Sequence, residues 1–139
     1  MCIRDRVITV AIHGQDNFPF RKKRSDLDVG LPKGTGDEEF LSALDQAIEH
    51  LSEQSFDLLF FQAGVDALEK DTLGLLNLSR EGMRLRNAKV FAWRRKLDIP
   101  MLLFMGGGYS NPIGYTVDAF VDLFLEAARE YQYATSGRA

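Results

Sequence analysis

Asp66 follows the apolar run Asp57-Leu-Leu-Phe-Phe-Gln62 across the short turn Ala63-Gly64-Val65. A carboxylate at the end of such a run is costly unless a donor or a cation meets it. A bound metal ion is one economical partner, and a turn or helix cap is the other. Further along, Gly106-Gly107-Gly108-Tyr109 closes the apolar run that starts at Met101. Successive glycines let a ligand approach the backbone and take up angles closed to other residues. A phosphate cradle is the rival reading, but the turn has neither the Lys-Ser/Thr of a P-loop nor the spacing of a dinucleotide fingerprint. Tyr109 then stands at the end of a strand, where a phenol can donate a hydrogen bond to an oxyanion formed during attack on a carbonyl. Alternatively it packs at a helix start. His13, after the β-branched run Val7 to Ile12, is either a metal ligand or proton carrier, or a hydrogen-bonded structural group. His50, beside Glu49 in an amphipathic stretch, reads as a surface residue without a role.

These residues need strands and helices to position them. Val7 to Ile12, Asp57 to Gln62 and Met101 to Met105 read as short buried strands. Between the first two lies a long irregular stretch, His13 to Gly36, rich in Gly and Pro, and loops of that length are usually functional. Asp37 to Gln54 is helical by pattern, with Phe40, Leu41, Leu44, Ala47, Ile48 and Leu51 on one stripe and three acids in its first turn. Ser79 caps an element that runs to about Leu97, with its arginines on the outer side. A last helix spans Pro112 to Tyr131, with Val117, Phe120, Val121, Phe124 and Ala128 on one face, and the tail after Tyr133 frays. Three strand-helix repeats predict an α/β domain with a parallel sheet flanked by helices. Its ligand site lies beyond the carboxyl ends of the strands, so His13, the Asp66 turn and the Gly106 to Tyr109 turn open on one edge.

The bulk properties fit one folded domain. The 139 residues are 45% hydrophobic and 27% charged. The net charge of -3 gives no pull toward nucleic acid or anionic lipid, and no run is apolar enough for a membrane span, so the expected compartment is the cytoplasm. Arg21, Lys22, Lys23 and Arg24 form the one basic cluster, either a contact patch or nuclear-localisation-like string, or a solvated loop tip. With Cys2 the single cysteine, neither a disulfide nor a cysteine zinc site can form.

Taken together, Val7-Ile-Thr-Val-Ala-Ile-His13, Asn17-Phe-Pro-Phe20, Gly34-Thr-Gly-Asp37, Ala63-Gly-Val-Asp66 with Asp71-Thr-Leu-Gly74, and Gly106-Gly-Gly-Tyr109 resemble the second half of the histone deacetylase family. The Asn17 to Lys22 and Ser25-Asp-Leu-Asp28 stretches look most like its class IV branch and bacterial relatives. The resemblance implies a three-layer arginase/deacetylase-like fold, incomplete in this chain, with residues 7–133 forming the C-terminal part of one domain. Residues 1–6 read as a non-native junction and 134–139 as a disordered tail. It further implies that Asp66 is a ligand of a catalytic Zn2+ and that Tyr109 is the catalytic phenol. Phe18, Leu73, Gly107 and Gly108 would contact an acyl-lysine or small acetylated amine. The implied reaction is hydrolysis of an acetyl amide, with a metal-bound water as nucleophile and acid-base help.

Two departures qualify that picture. The family's Asp-x-His ligand pair and histidine dyad precede the strand at Val7 and have no counterpart here, whereas a catalytic zinc typically has three protein ligands. Ala11 replaces a serine that often helps bind a structural potassium ion. The chain is therefore expected to be inactive alone, as a fragment of a complete deacetylase or as a non-catalytic binding piece.

Overall fold

Short β-rich segments and longer amphipathic ones alternate along the chain, and the computed structural model, which describes residues 6–136, folds them as β1 (Val10–Gly14), β2 (Leu27–Leu31), α1 (Asp37–Leu51), β3 (Leu59–Gln62), α2 (Arg80–Leu97), β4 (Met101–Phe104) and α3 (Gly114–Ser136). Cys2 and most of the expected junction lie outside the described residues, as do 137–139; the helix continues to Ser136, beyond the Tyr131 limit expected from its pattern. No helix among the described residues is long and apolar enough to cross a membrane.

The fold is α/β with parallel strands, as expected, but the strands form two parallel pairs, β1–β2 and β3–β4, instead of one continuous sheet. β2 was hidden inside the stretch expected to be irregular. In β3 and β4 the side chains alternate: Leu59, Phe61, Met101 and Leu103 turn inward, while Phe60, Leu102 and Phe104 are exposed. Phe61, Met101 and Leu103 pack against a core that includes Phe40 of α1, Met83 and Phe91 of α2, and Phe120 and Leu123 of α3. All three helices thus lie on one side of the β3–β4 pair. Of the three layers expected, the described residues supply two.

Each helix has a local cause. Gly36 precedes α1, its amide donating to the Glu39 carboxylate at 3.1 Å, and Asp37, Glu38 and Glu39 face the positive end of the helix dipole. Phe40, Leu44, Ala47 and Leu51 of the expected stripe are buried. Ser79 caps α2 as expected: its Oγ accepts from the Gly82 amide at 3.0 Å and donates to Asp37 Oδ2 at 2.6 Å, joining the starts of α1 and α2. In α3 the buried side is Thr116, Ala119, Phe120 and Leu123, whereas Val117, Val121 and Phe124 of the expected stripe are exposed. The helix is apolar on two sides, and only one meets the core.

Candidate functional site

Parallel pairing sends β3 and β4 out of the sheet at the same edge, where the amide of Ala63 still donates to the Phe104 carbonyl at 3.0 Å. Beyond that bond the two strand-end turns interlock. Val65 donates its amide to the Gly107 carbonyl at 2.6 Å, and the Asp66 carboxylate lies against Gly107. A Cβ on Gly107 would stand 2.7 Å from Asp66 Oδ2, and one on Gly74 would stand 1.8 Å from the Asp66 carbonyl oxygen. A side chain at 107 would therefore push the Asp66 carboxylate out of its present place. Among the described glycines only Gly34 has a positive φ, so the Gly106 to Gly108 run serves close approach and not unusual backbone angles. Gly108 packs against Val65, Thr116 and Phe120, away from Asp66.

Asp66 meets no side-chain donor among the described residues. Burial pushes its carboxyl above the ordinary carboxylate range, opposed by its own backbone amide and by the charge of Arg86, while Asp71 adds to the rise. A partly buried carboxylate without a side-chain partner suits a hard-oxygen metal ligand. Alone it does not make a site: no group of three His, Cys, Asp or Glu among the described residues is placed to hold a metal ion. His13 does not join it. Its Nε2 lies 3.4 Å from Asp28 Oδ1 and its Nδ1 3.1 Å from the Gly14 carbonyl oxygen, inside the β1–β2 ladder, so the structural alternative describes it.

Tyr109 is anchored through its backbone. Its amide donates to Asp71 Oδ2 at 2.6 Å, and its carbonyl accepts from the Thr72 hydroxyl at 2.7 Å and the Thr72 amide at 3.2 Å. The side chain is 52% exposed, and its phenol oxygen has no hydrogen-bond partner among the described residues. Asp71 also accepts from the Leu73 amide at 2.9 Å and the Gly74 amide at 2.7 Å, so one carboxylate gathers three backbone donors from two loops. Sequence reasoning gave Asp71 no role. The two local bonds were foreseeable, since an aspartate commonly accepts from amides two and three residues on; the bond to Tyr109 was not.

Phe18 and Leu73 stand at the same rim, 83% and 65% exposed. Phe18 meets Phe20 edge-on with centroids 6.1 Å apart. Asn17 ties this loop to the other two, its Oδ1 accepting from the Leu75 amide at 3.0 Å. Lys22 belongs to the same loop: its Nζ donates to the carbonyls of Gln15 at 2.9 Å and Asn17 at 2.6 Å. The basic cluster is therefore in part an internal staple.

We expect Asp71→Ala to destabilise the chain by about 2 kcal/mol, because three backbone donors lose a charged acceptor. Urea unfolding measures the loss. Amide exchange at Leu73, Gly74 and Tyr109 should accelerate together, whereas acceleration at Leu73 and Gly74 alone would deny the link to Tyr109.

Comparison with known proteins gives a consistent match. Residues 2–124 match the histone deacetylase domain family. An uncharacterized protein of Picosynechococcus sp. is 39% identical over 108 residues, covering 77% of this chain and 36% of that protein. Histone deacetylase 2 of Arabidopsis thaliana is 36% identical over 110 residues, covering 76% and 28%. Among solved structures, an HDAC homolog from Aquifex aeolicus superposes with a TM-score of 0.68 at 26% identity, covering 84% of this chain and 33% of its own. An acetylpolyamine aminohydrolase from Burkholderia pseudomallei gives 0.67 at 19% identity, covering 82% and 36%, a likeness of fold alone. The chain spans about a third of the length of these relatives.

Proposed function

The chain belongs to the histone deacetylase domain family, and on that premise we propose that it carries part of a zinc-dependent deacetylase site, hydrolysing an acyl-lysine or a small acetylated amine once the rest of the domain is present. The observation that supports this best is the interlocking of two strand-end turns, which holds a carboxylate lacking a side-chain partner against Gly107 while Asp71 anchors Tyr109 two residues later. A bound zinc would supply a Lewis acid and an activated water. The chain's own share is more limited. Asp66 offers one oxygen ligand, and the Tyr109 phenol, without a hydrogen-bond partner among the described residues, donates to the oxyanion that forms on the amide carbonyl. Gly107 keeps the wall beside the carboxylate low, Gly108 continues the same turn toward Tyr109, and Phe18 and Leu73 are apolar at the rim, where an acyl-lysine stem would pass. We place the protein with the class IV branch from its Asn17-Phe-Pro-Phe-Arg-Lys22 stretch, and in the cytoplasm.

The exposed apolar faces favour the same reading. Phe60, Leu102 and Phe104 on the strands, and Val117, Val121 and Leu125 on α3, are the surfaces against which the remaining two-thirds of a relative-sized domain would pack. A non-catalytic piece that binds a partner through those faces is the alternative. Zinc content and acetyl-lysine peptide turnover, measured for this chain and for one extended upstream to the length of its relatives, separate the two. Activity in the extended chain alone is the expected result; activity in neither would favour the binding role.

A further inference from the structure

We propose that Arg86 is the positioning residue of the Asp66 turn, holding the Gly64 carbonyl from beneath so that the carboxylate two residues later is presented at Gly107. α2 was expected to carry its arginines outward, and several do so. Arg80 pairs with Asp118 and Asp122, Arg84 with Glu81, and Arg95 with Glu130. Arg86 is 7% exposed, and no carboxylate among the described residues lies within ion-pair distance of it. Its Nη1 donates to the Gly64 carbonyl at 2.6 Å, and its Nε and Nη2 donate to Asn87 Oδ1 at 3.1 and 2.8 Å. The guanidinium carbon lies 5.6 Å from the centroid of the Phe61 ring.

A cation is costly to bury, and an apolar side chain of similar volume commonly fills such a place at least as stably. Burial indeed pulls the Arg86 guanidinium down to about 10, with the charge of Asp66 opposing. Packing alone therefore does not explain an arginine here. What the guanidinium adds is a rigid planar fork that satisfies two acceptors at fixed angles. One acceptor, Asn87, is 1% exposed on the same helix, so the fork is itself held by a neighbour. The other is the backbone of the turn that carries Asp66. On its far side that turn is fixed by the bond from the Val65 amide to Gly107. Gly64 is thereby gripped between α2 and the glycine turn, and the path to Asp66 is set from both sides. Lysine would retain the charge without the fork, and methionine would retain the bulk without either.

The geometric part stands on the contacts alone; its consequence for metal binding rests on the reading of Asp66 as a ligand. Amide exchange in the present chain tests the first. Arg86→Met should accelerate exchange at Val65 and Asp66 at least 10-fold relative to the amides of β3, and Arg86→Lys should leave most of that acceleration. Unchanged exchange at both amides in folded Arg86→Met would overturn the proposal; if the methionine variant does not fold, unchanged exchange in Arg86→Lys would do so. In the extended chain, zinc titration should show Arg86→Met weakened by about 10- to 100-fold, with Arg86→Lys between it and the parent. Failure of the extended parent to bind zinc would count against the functional reading and leave the exchange result to decide the role of Arg86.

Discussion

Turnover of an acetyl-lysine peptide by the extended chain is expected to fall about 100- to 1000-fold on Tyr109→Phe, with zinc content and unfolding midpoint unchanged. The size follows from removing one preorganised donor to a forming oxyanion, worth about 3–4 kcal/mol of transition-state stabilisation. The absence of a stability change follows from the local structure. Tyr109 is held by main-chain bonds to Asp71 and Thr72, and its hydroxyl touches no polar atom among the described residues. Phenylalanine keeps the main chain and the ring, and loses only the donor. Because the substrate carbonyl becomes charged during attack and not on binding, kcat should carry most of the loss and KM little. Undiminished turnover would remove Tyr109 from the mechanism; a lower unfolding midpoint would show that the hydroxyl has a structural partner.

What could be foreseen in the sequence was local. Ser79 and the run behind it predicted the start of α2, and the three- and four-residue spacing of Phe40, Leu44, Ala47 and Leu51 predicted the buried side of α1, because caps and stripes are written within a few residues. β2 escaped because Leu27-Asp-Val-Gly-Leu31 carries a glycine and ends at Pro32, signals of a loop that pairing with β1 overrides. α3 misled because its apolar residues cover two sides, and periodicity alone cannot choose between them. The same limit applied at the site. Asp66, Tyr109 and the glycine run stood out because a carboxylate, a phenol and consecutive glycines are conspicuous after apolar strands. Arg86 did not, since an arginine among many on a helix reads as solvated, and only tertiary contact with Gly64 distinguishes it. Asp71 was half legible, through its own turn and not through its bond to Tyr109.

Asp66→Asn should act with opposite signs on the two forms of the protein. In the present chain burial raises the carboxyl above its ordinary value of 3.8, so folding disfavours the ionised form. That net rise already includes the attraction of Arg86, which means neutralising Asp66 still stabilises the fold although it removes a charge facing the guanidinium. The gain at neutral pH is the difference between burying an ionised carboxyl and burying a neutral amide, so the variant should show the higher urea midpoint. Its pH dependence has a fixed direction. Between the unfolded and the folded pKa the folded parent binds more protons than the unfolded parent, so it loses stability as pH rises through that interval. Below 3.8 both states are protonated and the advantage of the variant should vanish. Glu126, raised mainly by burial, and Asp122, lowered mainly by its bond to Arg80, also bend the parent curve, but both remain in the variant and cancel in the difference. In the extended chain the same substitution removes an anionic oxygen ligand, and zinc affinity should fall by more than about 100-fold. Urea unfolding from pH 3 to 8 and zinc titration give the two signs. A variant less stable than the parent at pH 7 would mean that Asp66 supports the fold, and undiminished zinc affinity would mean that the metal is held without it. The opposition is what a carboxylate kept for a ligand and not for stability requires, since the desolvation that burdens the fold is offset only when a cation arrives.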